Sequence, residues 1–177
     1  NIKDIKTEEL RRNIGLVLQD VFLFAGDIET NIKLFNKEIS LENVKKAAQH
    51  VNADYFIENF DDGYKHKINE KGTTLSMGQR QLISFARALV FNPSILVMDE
   101  ATSNIDTETE AIIQEALEKL MKNRTTIAVA HRLSTIKKSD NVIVLHKGEI
   151  KEIGNHKELM TKKGFYYSLY KLQYENL

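Results

Sequence analysis

The sequence predicts an α/β protein, a parallel sheet flanked by helices. Two observations predict it. Apolar, strand-like segments at residues 14–18, 95–98 and 126–130 are separated by stretches of helical periodicity. The middle segment reads Ile-Leu-Val-Met with no polar alternation, which suits a parallel strand covered on both faces.

The helices follow from spacing. Leu82, Phe85, Ala86 and Leu89 fall at i, i+3, i+4 and i+7, as do Ile113, Ala116, Leu117 and Leu120, so each set lines one helix face. Residues 142–145 and 149–153 flank His146, Lys147 and Gly148 and read as a hairpin. From Asn155 the pattern is that of one or two short amphipathic helices. Residues 27–71 are mostly helical in pattern and rich in Asn, Lys and Asp, as expected of a helical insertion hanging off the sheet.

Composition excludes several classes. The 177 residues hold 25 Lys plus Arg against 25 Asp plus Glu, without the basic excess of a protein that binds nucleic acid through phosphates. With 42% hydrophobic residues the chain is too apolar for disorder. It has no Cys, hence no disulfide framework and no thiolate metal site. No apolar run approaches the roughly 18 residues of a bilayer span. The chain begins with Asn and no signal-like segment follows, so it reads as a piece of a longer protein. Residues 99–118 hold seven acids and no Lys or Arg, a run that reads as a solvated face.

Chemistry is expected first at Asp99 and Glu100. An apolar strand ending in adjacent carboxylates brings them to the carboxyl edge of a parallel sheet, where α/β proteins bind ligands. Successive strand side chains point to opposite faces, so one acid can hold Mg²⁺ while its neighbour orients a water. A plain solvated strand end explains the pair equally well. Leu-Ser-Met-Gly-Gln at 75–79 precedes the first amphipathic helix. Ser76 and Gly78 there suit a phosphate at a helix N-terminus, or a simple Ser N-cap with Gly in the first turn. His131, after the third strand, could contact a phosphate or move a proton, or be an ordinary histidine. Gln19, at the end of the first strand, is undistinguished alone. His50, His66, His146 and His156 have no metal-ligand spacing.

The order of these residues carries a resemblance. Leu-Val-Leu-Gln-Asp at 16–20 resembles the Q-loop of ATP-binding cassette (ABC) transporters, and residues 75–79 their Leu-Ser-Gly-Gly-Gln signature. Residues 95–100 resemble the Walker B strand with its glutamate. Ser-Asn-Ile-Asp at 103–106 resembles the D-loop, and His131 the switch histidine. The chain is thus similar to the later part of a nucleotide-binding domain, and the match runs over nearly its whole length. The stretch Asp-Val-Phe-Leu-Phe-Ala-Gly at 20–26 and Glu-Lys-Gly at 70–72 resemble the exporter pattern.

The resemblance implies an incomplete P-loop NTPase-like fold, with a helical signature subdomain over about 27–90 and the Walker B and switch-histidine part over about 91–177. It implies ATP and Mg²⁺ as cofactors, and ATP hydrolysis that powers export. Its catalytic residues would be Glu100, His131 and Gln19, with Asp99 and Gln19 serving Mg²⁺. Ser76, Met77, Gly78 and Gln79 would meet the ATP of a second nucleotide-binding domain, with Ser103 and Asp106 at the interface between the two. The other implied partner is a transmembrane domain, with the chain at the cytoplasmic face of the cell membrane.

Two departures matter. No Gly-x-x-x-x-Gly-Lys occurs, so the P-loop is expected upstream and the chain alone is expected to be inactive. Met77 stands where the signature has its first Gly, which favours a heterodimer with one weakened nucleotide site. A soluble ATPase of the same superfamily, and a non-catalytic dimerisation or interaction module, are the alternatives.

Overall fold

The computed structural model describes residues 1–100, 107–130 and 133–174. The chain divides into two compact units, residues 1–129 and 130–177.

In the first unit, α1 (Thr7–Arg12) leads into β1 (Ile14–Val17). A short β2 (Gly26–Asp27) is followed by α2 (Ile28–Lys33), α3 (Leu41–His50) and α4 (Asp54–Ile57), and then by β3 (Lys67–Ile68). The long helix α5 (Met77–Val90) precedes β4 (Ile95–Glu100), α6 (Thr107–Met121) and β5 (Thr125–Ala130). The sheet has the order β1-β4-β5. β1 pairs with β4 in parallel, from Ile14 opposite Ile95 to Val17 opposite Met98. Thr125 N–H, at the start of β5, donates to the Ser94 carbonyl just before β4 at 3.1 Å. Neighbouring strands that start side by side run the same way, so all three carboxyl ends share one edge.

The expected strands and helices are present. Leu82, Phe85 and Ala86 of α5 are buried, as are Ile113, Ala116, Leu117 and Leu120 of α6. Each fully buried Leu, Ile or Phe contributes about 1.5–3 kcal/mol relative to exposure. α5 packs against α2, α3, α6 and β1, making it the centre of the core. It stops cleanly because Asn92 takes a left-handed φ of 45° and Pro93 follows. Residues 27–71 are helical for the most part, tied together by the antiparallel pairing of β2 with β3, a ladder that two-residue strands do not announce in sequence.

In β4, Leu96 and Met98 are buried and Ile95 and Val97 are half-buried, so neither side of its apolar run is exposed. The strands beside it differ. Leu16 of β1 and Ile127 and Val129 of β5 are 58%, 61% and 60% exposed, and the side chains of β5 alternate between half-buried and exposed.

The second unit contains α7 (Leu133–Lys138), the hairpin β6 (Val142–His146) and β7 (Glu149–Gly154), then α8 (His156–Lys162) and α9 (Phe165–Tyr174). His146 pairs with Glu149, so the turn has two residues, and both have positive φ (Lys147 51°, Gly148 78°). This is the twist-matched geometry of a type I′ turn. Asn155 and Glu158 form a capping box that opens α8. Val144, Leu159 and Tyr166 make the small core.

Candidate functional site

The parallel register builds the candidate site. Val17 opposite Met98 is the last pair between β1 and β4, so Gln19 and the Asp99–Glu100 pair that ends β4 come to the same carboxyl edge. Gln19 lies in a bend and is exposed, as is Asp99. Glu100 ends β4. β5 ends at the same edge with Ala130. The next residue, His131, lies outside the described residues, as do Ser103 and Asp106.

Residues 76–79 stand at the start of α5. Four residues connect α5 to β4, a helix and a strand of similar length. The chain therefore doubles back and brings the helix start toward the end of the unit where β4 finishes. A contact supports this: a Cβ added to Gly78 would collide with Thr109 Cγ2, near the start of α6. Ser76 Oγ accepts from the Gln79 N–H at 3.2 Å, and Ser76 N–H donates to Gln79 Oε1 at 3.0 Å. The Ser N-cap reading of this turn is therefore realised as a full capping box. Gly78 is buried, and closeness to Thr109 is one reason a glycine is needed there. Met77 is 45% exposed, its side chain beside the helix start.

The sequence singled out residues 20–26 and 70–72, but not Phe35 and not the contacts that these stretches make. Phe22, Phe24 and Phe35 are exposed and in edge-to-face contact, with centroids 5.0 and 6.0 Å apart. Leu23 is fully buried, and its carbonyl accepts from the Lys71 N–H at 3.0 Å. Thus residues 70–72 touch the segment that follows Gln19. Lys71 and Gly72 both take left-handed φ, of 68° and 62°. The available signal was Gly72, since Gly is the residue for such a turn.

The donor set fits a hard divalent cation such as Mg²⁺, because Gln19, Asp99 and Glu100 offer only oxygen ligands. Among the described residues no group of three or more His, Asp or Glu stands close enough to cage a metal by itself.

These features define an α/β protein with polar side chains where parallel strands end, the edge at which such folds offer a ligand site, and with a capped helix start toward the same end. The sequence profile of the family described as ABC transporter matches residues 1–103, and the chain belongs to that family. It is 50% identical over 173 residues to the probable multidrug resistance ABC transporter ATP-binding/permease protein YheH of Bacillus subtilis, covering 98% of this chain and 26% of that protein. It is 49% identical over 175 residues to the ATP-dependent lipid A-core flippase of Syntrophus aciditrophicus, covering 99% and 29%. The structure of a bacterial Atm1-family ABC exporter with ATP bound matches with a TM-score of 0.85 and 38% identity, over 96% of this chain and 30% of that one. The chain thus spans less than a third of the length of these relatives. No helix among the described residues is long and apolar enough to cross a membrane.

Proposed function

We propose that these residues form part of the ATPase of an exporter, in which ATP hydrolysis drives a substrate across a membrane. The observation that carries the reading is the shared edge of β1 and β4, which brings Gln19, Asp99 and Glu100 together. The exporter with ATP bound and the two transporters named above support the direction.

With Mg²⁺ bound, the negative charge of the phosphates would be neutralised as it shifts toward the leaving group. Asp99 would hold the cation's water shell and Gln19 would reach the cation and the attacking water. Glu100 would accept a hydrogen bond from that water and orient it in line. His131 would donate to the terminal phosphate. Each role is positioning plus charge placement, the larger part of phosphoryl-transfer catalysis. Ser76, Gly78 and Gln79 would approach nucleotide held by a second such domain, with Ser103 and Asp106 crossing between the two. Met77 supports a heterodimeric pair, since its side chain narrows access to the helix start. The reading includes a helical part over about 27–90, a sheet-edge part over about 91–177, and a place at the cytoplasmic membrane face. No phosphate-cradling lysine motif occurs in the 177 residues, so the cradle would come from other residues of the complete protein, and these residues alone would turn over ATP hardly at all.

The test is Glu100→Gln in the complete protein. ATP affinity should stay near that of the native protein while turnover falls about a hundredfold or more, as for loss of a group acting in the transition state. Near-native hydrolysis at the substituted site would remove Glu100 from this role.

A further inference from the structure

Arg87 lies in α5, its sequence neighbours Ala86 and Ala88 are buried, and it has no carboxylate partner among the described residues. Burial pushes its guanidinium below the usual range. Such a group is costly to withdraw from water unless its donors are used. Here they converge on one segment. Nε donates to the Asn31 carbonyl at 2.9 Å, Nη1 to the Phe22 carbonyl at 3.0 Å, and Nη2 reaches Asn31 Oδ1 at 3.4 Å.

Asn31 completes the arrangement from inside. It is fully buried, and its Oδ1 accepts from the Phe24 N–H at 2.9 Å. Its Nδ2 donates to the carbonyls of Phe24 and Asp27 at 2.9 and 3.1 Å. The two side chains thereby occupy backbone groups of residues 22, 24, 27 and 31. Asn31 folds the segment on itself, whereas Arg87 attaches it to α5.

Gln19 is caught between two attachments. Val17 is paired to β4, and the Phe22 carbonyl is held by Arg87. The same segment exposes the Phe22 and Phe24 rings. We infer that Arg87, with Asn31, is a positioning residue that locks residues 22–31 onto α5, so that Gln19 and the Ser76–Gln79 turn move as one piece during turnover. The inference rests on the ATPase reading above. Leu23 keeps its own burial and its bond to Lys71, so loss of the Arg87 fork should loosen this linkage without unfolding the segment.

The experiment is Arg87→Lys in the complete protein, with Asn31→Asp as a second variant. Lysine keeps the charge but cannot form the planar fork. Aspartate is near-isosteric with Asn31 and keeps its acceptors while removing its donors to Phe24 and Asp27. ATP affinity, read with a fluorescent ATP analogue and Mg²⁺, should stay within about twofold of native in both variants while kcat falls about tenfold or more. Amide exchange should quicken at residues 22–24. Native kcat in either folded variant would overturn the inference. So would a fall in kcat that merely tracks lost ATP binding or a collapsed melting temperature, since that is plain structural damage. If neither variant folds, the native protein decides: a Phe24 amide that exchanges as fast as an exposed one overturns the clamp. Native protein that never turns over ATP would instead remove the ATPase reading, and this inference with it.

Discussion

The backbone N–H of Lys71 donates to the carbonyl of Leu23 at 3.0 Å, joining the segment that follows Gln19 to the segment that precedes Ser76. The two stretches whose sequences resemble the exporter pattern, residues 20–26 and 70–72, are thereby in direct contact. The next residue, Gly72, has φ +62°, and a Cβ there would lie 2.7 Å from Leu23 Cδ1.

Gly72→Ala should therefore destabilise the protein by about 2 kcal/mol, through left-handed strain and displacement of a buried leucine. Urea unfolding checks this, and an unchanged midpoint would show that the contact has room to relax.

Gly78 faces Thr109 so closely that Gly78→Ala must displace the Thr109 methyl, by turning that side chain or by shifting α5 against α6. The expected loss is about 1–3 kcal/mol, the usual cost of overpacking. Thr109→Ser removes the colliding methyl and should restore most of it, giving a favourable coupling in a double-mutant cycle. Additive losses would mean that Gly78 is not there for helix packing. If the double variant regains stability but not ATP turnover, Gly78 has a second role at the helix start.

Met77→Gly reverses the departure from the family signature. The side chain is largely exposed, so stability should change by less than about 1 kcal/mol. Turnover by the complete protein should rise, and steady-state hydrolysis that stays level or falls would dismiss Met77 as the weakening element.

Glu29 gives a pH dependence. Its buried carboxylate accepts hydrogen bonds from Lys33 and, at 2.7 Å, from Lys65. These bonds hold it below its ordinary value of 4.5. A lowered folded-state value means that its contribution is present above the unfolded value and is lost as pH falls through the folded one. Glu29→Gln should cost on the order of 1–3 kcal/mol at neutral pH. It should also flatten the fall in stability below about pH 4.5. An acid limb as steep as the native one would place its source elsewhere.

Much of the fold was legible because its signals are local. The stripe Leu82, Phe85, Ala86 and Leu89 is read within one helix, and the apolar run ending in Asp99 and Glu100 within one strand. The alignment of Gln19 with that pair was only implied, since register is a property of two strands, and pairing Val17 with Met98 supplied it. Ser76, with Gly78, carried two readings in sequence, a phosphate site or a helix N-cap; its capping partner is Gln79. The structure establishes the cap between them and leaves the expected meeting with nucleotide as a matter for experiment.

What the sequence by itself determined is the order of the longer strands and helices, the family, and the residue types at the sheet edge. All of these depend on side-chain identity at fixed spacing. Only the tertiary structure decided that Leu16, Ile127 and Val129 are exposed beside a covered β4, that Gly78 meets Thr109, and that Arg87 is held by the carbonyls of Phe22 and Asn31. The physical reason is the nature of the partners. Every residue carries a backbone carbonyl, so a guanidinium that binds two of them leaves no pattern in the residues it binds. A sheet face is likewise covered or bare according to what packs on it from distant chain, which the strand's own residues do not encode.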